Sequence, residues 1–387
     1  MLKTFSACTL EIDDPDLAVD EILEQLDLEH RLMEHALGLI NCHPDYLHAG
    51  TVKALCARLP FEVIGGTSLL SATNNTGDHL LLSVFVLTSD DTSFAAVLTE
   101  SLQDKAAEHI SAAWARASSS LSSAPVLILT YVPFSRNFSG ERLVEYLNRV
   151  SGGVPIFGPV VSDPHGDFSE AYTIHNGEHF KDRLPLALLA GPIRPSFFLA
   201  SSSEDKVHGK QALITDSDGV LLKEVNGVNA LAYLESIGLI SNGVLDERVS
   251  ITIPLIVDYH DGSKPSARGI YSVTPEGYIF CGGEVPKGAS FALGDLDVHG
   301  ILDSAAQTMK EIMAVRHKNG LLVSCCITRG LALGETPLEE AQKIHEHAGD
   351  ALPYQLCYAG GEFCPVYNSA GEVVNRFHNF TFTACLL

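Results

Sequence analysis

The sequence predicts an α+β fold, with mixed or antiparallel sheets flanked by helices in a layered α/β sandwich. Three observations carry this. Apolar runs of strand length alternate with amphipathic helices along the whole chain. The order strand–helix–strand–hairpin–strand recurs three times, at 36–87, 124–191 and 320–387. Asp-Gly at 218–219 and Asn-Gly at 226–227 stand between apolar runs and mark tight hairpins, which argues against an all-parallel sheet.

The first unit opens with the apolar run "ALGLINCH" at 36–43, a buried strand. "AGTVKALCARL" at 49–59 follows with helical spacing, Val52, Leu55, Cys56 and Leu59 sharing one face. "FEVIGGTS" at 61–68 is a strand running into Gly-Gly, and "LLLSVFVL" at 80–87 closes the unit. In the second unit, "APVLILTYV" at 124–132 precedes a helix at 140–151, a strand interrupted by Gly158, a hairpin arm "AYTIHNG" and the strand "LPLALLAG" at 184–191. Between the second and third units lies a different region of antiparallel strands, including "SITIPLIVDYHDG" and "ARGIYSVTPEGYIFCGGEV". A long amphipathic helix is expected at 297–320, with an Asp start and a Gly stop. The third unit begins with "GLLVSCCITRG" at 320–330, read as strand. Its helix at 336–350 has Pro337 in the first turn and Gly349 near the end. "PYQLCYAGGE" is the strand that ends on glycines, and a hairpin and last strand follow. Two regions are expected, 1–200 and 201–387, sharing an interface.

Composition excludes several functions. With 25 basic and 48 acidic residues the formal net charge is −23, so phosphate backbones are repelled and no nucleic-acid partner is expected. Residues 1–22 lack the apolar core of a signal peptide, and no stretch approaches the roughly 20 apolar residues of a membrane helix. The nine cysteines are an odd number, mostly inside apolar runs, and read as free buried thiols. The chain is therefore expected in the cytoplasm, without membrane insertion. The sixteen histidines form no ligand set, and there is no Cys-x-x-Cys, phosphate loop or nucleotide fingerprint, so neither a metal nor a cofactor is expected.

Four stretches resemble the FIST family. "VSCCITRG" is similar to that family's S-C-x-x-R stretch, matching Ser324, Cys326 and Arg329. "LCYAGGEFCPV" is similar to its G-F-Y-T-x-G-E-x-x-P corner, matching Tyr358, Gly361, Glu362 and Pro365. "FHNFTFTACLL" is similar to its closing H-N-x-T strand, matching His378, Asn379 and Thr381, and "FEVIGGTS" resembles an N-terminal V-x-G-x-S-T corner. The chain departs from the pattern at Leu356 and Ala359, where the family has Gly and Thr, and at Leu70 and Ser71, where it often has Gly-Glu. The resemblance implies a sensory protein for a small polar ligand, such as an amino acid. No kinase, cyclase or chemotaxis module accompanies these stretches, so a sensor would report through a signalling partner protein.

The residues themselves frame the candidate site. Gly360 and Gly361 let the backbone turn sharply, and Glu362 points from the corner, where a buried carboxylate needs a compensating charge. Arg329 follows a neighbouring strand. The two are expected to line one cleft, Arg329 holding a ligand carboxylate and Glu362 an ammonium, or else to form an internal ion pair. Cys326 and Cys357 could flank this cleft, and the resemblance adds Tyr358, His378 and Asn379 to the candidate ligand contacts. His378-Asn379 is read against His175-Asn176, taken as its counterpart in the second unit, which favours a hairpin-fixing role. Gly65, Gly66, Thr67 and Ser68 could form a nest of donors for an anion, or simply end a strand. An enzyme using Cys326 with His378, or the Glu362 cleft, and a scaffold with an exposed apolar patch are the alternatives.

Overall fold

The computed structural model describes residues 2–135, 138–201 and 207–387. The expected α+β architecture is present, and the repeat is longer than the sequence pattern showed. Each unit begins with an extra strand and helix. These are Lys3–Thr9 with Pro15–Leu26, Ser93–Leu98 with Ala106–Ser119, and Ser196–Ala200 with Val298–Ala314. The first helix shows why: the Asp14 side chain accepts from the Asp16 and Leu17 amides, Pro15 sits in the opening turn, and Ala18, Val19, Ile22 and Leu26 line the buried face.

Within each unit the first and second inner strands are parallel, as their connecting helix requires: His35–Cys42 with Glu62–Thr67, Leu127–Thr130 with Ile156–Pro159, and Leu321–Cys326 with Tyr354–Ala359. The closing strands, Leu82–Ser89, Pro185–Ala190 and Phe382–Leu386, run antiparallel to the first. Each hairpin leaves its own unit. The hairpin of the second unit (Thr173–His175, Glu178–Phe180) extends the first sheet, and that of the third (Glu362–Tyr367, Val373–His378) extends the second. The hairpin of the first (Ser71–Thr73, Gly77–Asp78) extends the third. Three six-stranded sheets thus close into a ring by cyclic exchange.

The inner faces of the sheets meet in one central core, with Leu37 and Leu39, Leu127 and Leu129, Leu322 and Cys385 all buried there. The helices cover the outer faces and build one further core per unit. Two details differ from the sequence expectation. The long helix stops at Ala314, where Val315 turns extended; Gly320 instead passes so close to Thr4 that a Cβ would stand 2.3 Å from its hydroxyl. The run 320–330 is strand only to Cys326, and Ile327–Leu333 is helical.

An eight-stranded antiparallel domain, from His208–Asp218 to Ser290–Leu293, is inserted in the third unit between its leading strand and helix. It has its own core around Ile214, Leu222, Val257 and Phe291. Ala267 on this insert meets Ile301, Leu333 and Phe380 of the third unit in a small joint. Arg268 pairs with Glu141 of the second unit at 2.9 Å, and Arg376 on the third hairpin pairs with Asp261 of the insert. No helix among the described residues is long and apolar enough to cross a membrane.

Candidate functional site

The corner at Glu362 is where the third unit hands its hairpin to the second sheet. Tyr354–Ala359 ends, Gly360 and Gly361 cross over, and Glu362 begins the hairpin opposite Pro159 and His378. The crossing is stitched by Gly360 N donating to Val160 O (2.9 Å) and Val160 N to Gly361 O (2.8 Å). A Cβ on Gly361 would stand 2.5 Å from the Phe377 ring, and its φ of +154° lies where side chains are strained, so only glycine fits.

Glu362 is completely buried. Its Oε2 accepts from Thr381 Oγ1 at 2.6 Å, while Oε1 has no partner among the described residues. Burial raises its pKa well above the usual carboxylate range, against the lowering effects of the Thr381 bond and the Arg329 charge. Asn379, also completely buried, has no partner among the described residues for either Oδ1 or Nδ2, and Phe380 beside it is held at φ +61°. A buried aromatic in that region costs energy and is tolerated where neighbours overdetermine it.

Arg329 does not form the ion pair with Glu362 that the sequence raised. It lies on the helix Ile327–Leu333, and its Nε and Nη2 donate to Glu340 Oε1 at 2.9 and 2.5 Å. Nη2 also reaches Ile301 O and Ser304 Oγ, each at 3.0 Å, whereas Nη1 has no partner among the described residues. Tyr358 belongs to the same group and donates its hydroxyl to Glu340 Oε2 at 2.8 Å. Burial opposes the Arg329 charge, and the Glu340 carboxylate overrides it and raises the pKa. The two expected partners are therefore neighbours in one buried polar region, each anchored separately, rather than walls of an open cleft.

Burial pushes the Cys326 thiol up to about 12. His378 does not activate Cys326: its Nε2 bonds Cys364 O at 2.9 Å, and burial lowers its pKa to about 3. His378-Asn379 and His175-Asn176 do not occupy matching places. Asn176 forms the turn between the two arms of its hairpin, at φ +49°, and accepts from Val63 N, whereas Asn379 follows the second arm. The anion nest at Gly65–Ser68 does not form. Gly65, Gly66 and Thr67 lie within a strand, Thr67 N and Oγ1 donate to carbonyls of the 170–172 segment, and Ser68 N donates to Cys42 O. The Ser68 hydroxyl is shared with Ser71.

The sequence reading missed three contributors. Glu340 lay in the helix expected at 336–350 and was not singled out. Tyr271 and Arg268 lay in the insert, where "CGGE" at 281–284 repeats the Gly-Gly-Glu signature of the corner. Arg268 is fully buried and donates to Tyr259 Oη at 2.6 Å. An open groove of about 770 Å³ lies elsewhere, and none of Arg329, Glu362 and Asn379 lines it. Its carboxylates Asp246 and Asp297 cap the two helices that border it. On the ring axis, a cavity of about 20 Å³ lies between Leu39, Asn41, Tyr131, Ser324 and Gln355, room for about one water. Among the described residues no group of three or more His, Cys, Asp or Glu is placed to hold a metal.

The fold is an α+β ring of three sheets that exchange hairpins. The chain belongs to the FIST family, its FIST N domain matching residues 36–228 and its FIST C domain residues 230–365. FIST domains are sensory domains that bind small ligands in signal transduction. No curated protein matches the chain.

Proposed function

We propose that this protein binds a small polar metabolite, an amino acid or a close relative, at the Glu362 corner, and passes the bound state to a partner chain in the cytoplasm. The observation that supports this is the set of unmatched buried atoms: Arg329 Nη1, Glu362 Oε1 and both polar atoms of Asn379. Such atoms cost free energy unless something meets them, and the groups present offer a cationic donor, an acidic acceptor and an amide. A zwitterion places its carboxylate at Arg329 and its ammonium at Glu362. Nine unpaired cysteines suit a reducing compartment.

The raised pKa of Glu362 adds a signature. In the empty corner the carboxyl holds its proton, and an arriving ammonium displaces it. Binding therefore releases a proton, and affinity strengthens as pH rises toward the raised value. The test is a thermal-shift screen against amino acids, followed by calorimetry of hits in two buffers of different ionisation enthalpy. Ligand at about 100 times its dissociation constant adds about 2.7 kcal/mol. A hit that persists in Glu362→Gln with unchanged affinity and unchanged proton release would remove the reading.

A further inference from the structure

We propose that Tyr271, supplied by the inserted domain, closes the Glu362 corner and is the residue that faces whatever binds there. This rests on the small-ligand reading above and adds the wall that sets its specificity. Tyr271 is 42% exposed, yet its hydroxyl end lies against Gly282, on the side of Asn379 Oδ1. That end is dehydrated and senses Cys326 first and Glu362 next, which raises its pKa. The ring therefore stands between solvent and the corner.

Two glycines make the slot that holds it. Gly269 and Gly282 are joined by the bond from Gly282 N to Gly269 O at 2.9 Å. A Cβ on Gly269 would lie 2.8 Å from the Tyr271 ring and 3.1 Å from the Phe380 ring. A Cβ on Gly282 would lie 2.8 Å from the Tyr271 hydroxyl and 2.9 Å from Asn379 Oδ1. The phenol oxygen and the unmatched amide oxygen therefore border the same small space. A phenol both donates and accepts, so it complements a ligand already met by an amide and a carboxyl. The ring is held by backbone faces, and among the described residues nothing bonds its hydroxyl, so swinging it outward breaks no hydrogen bond. The insert also grips the third hairpin through Arg376 and Asp261. Movement of Tyr271 is thereby tied to the inserted domain.

The test uses the unliganded full chain and iodoacetamide, a small neutral probe, with labelling of each cysteine followed by peptide mass spectrometry. Tyr271→Ala is expected to speed labelling of Cys326 about tenfold or more, because access limits a buried thiol, while Tyr271→Phe keeps the seal and stays within about twofold of wild type. Gly282→Ala, which pushes the ring from its slot, changes Cys326 in the same direction as Tyr271→Ala. Cys42 and Cys385, buried in other cores, stay protected throughout. Unchanged labelling of Cys326 in Tyr271→Ala overturns the proposal. So does a parallel rise at Cys42 and Cys385, which means general loosening. If no metabolite binds but the gating pattern holds, the closure stands and the ligand reading falls. If a metabolite binds with the same affinity in Tyr271→Ala, the closure falls and the ligand reading stands.

Discussion

The first and third units carry the same corner and use it differently. The central core aligns them: Ile64, Phe157 and Gln355 all face the ring axis, and two residues further on stand Gly66, Pro159 and Cys357. Opposite these, on the hairpin received from the neighbouring unit, are Thr173, Glu362 and Ser71. All three are buried. Ser71 shares its hydroxyl with Ser68 at 2.6 Å, and the Thr173 hydroxyl proton is shared between Arg183 O and Phe180 O. Only Glu362 has an atom without a partner. A ring that repeats its architecture has closed two corners with short hydroxyls and built the third around a longer, ionisable side chain. The difference teaches that the repeat is scaffold, and that chemistry enters where one copy breaks the pattern.

The largest test of that contrast concerns the support of the third corner. Arg329→Ala leaves Glu340 buried without its charge partner, and loss of one member of a buried pair costs about 3–5 kcal/mol. Urea unfolding at neutral pH should show this as a lower midpoint with an unchanged slope. A loss below about 1 kcal/mol would mean that the Arg329–Glu340–Tyr358 group does not hold the corner. The variant therefore cannot by itself report on ligand binding, and Glu362→Gln is the cleaner probe for that purpose.

Glu362→Gln gives the second test. The folded-state pKa of Glu362 lies above its ordinary 4.5 because burial disfavours the charge. The folded protein thus binds this proton more tightly than the unfolded chain. Its contribution to stability is complete below about pH 4.5 and is lost as pH rises through the raised value, with a slope of up to about 1.4 kcal/mol per pH unit. Glu362→Gln should remove that slope, which chemical unfolding at pH 5, 6, 7 and 8 would reveal. Parallel curves for the two proteins would show that Glu362 is ionised in the fold.

The hydroxyl corners provide the third test. Thr173→Val keeps the shape but removes the one hydroxyl proton that the Arg183 and Phe180 carbonyls share, and about 1–3 kcal/mol should be lost. Unlike Glu362→Gln, this loss should not vary with pH between 5 and 8, and it should leave any ligand affinity untouched. A change in affinity would place the second corner in the site as well.

Much of this architecture was legible because it is local. Apolar runs, helix caps and turn dipeptides report on their own neighbourhood, so the strands, the α+β class and the threefold order could be read. The exchange of hairpins could not. Nothing in Ser71–Thr73 says whether it pairs within its own unit or with Tyr354–Ala359, because pairing is chosen by tertiary geometry. The resemblance pointed to Glu362 and Asn379, and residue chemistry explained why a carboxylate at a glycine corner needs compensation. The true partner of Arg329 was hidden in "TPLEEAQ". Yet Glu340 shares the face of Ile344 and Ala348 at successive four-residue steps, a spacing that marks it as inward-facing. Tyr271 had no such signal beyond the second Gly-Gly-Glu, since its approach to the corner is made across two domains.

The smallest expected effect is also the sharpest, because it compares two asparagines. Asn176 holds a left-handed turn and accepts from Val63 N at 2.8 Å, so Asn176→Ala loses a hydrogen bond and places alanine at an unfavourable φ, together about 1–2 kcal/mol. Among the described residues neither polar atom of Asn379 has a hydrogen-bond partner, although the residue is completely buried. Removing a buried polar group that has no partner removes its desolvation cost, so Asn379→Leu, which keeps the number and branching of the side-chain heavy atoms, should change stability by less than about 1 kcal/mol or raise it. A fold that tolerates or gains from losing a buried amide is retaining that amide for something other than stability. Thermal melts of the two variants side by side make the comparison. If Asn379→Leu loses as much as Asn176→Ala, the amide is structural and the third corner is closed like the other two. If it loses nothing while ligand binding disappears, Asn379 belongs to the binding site.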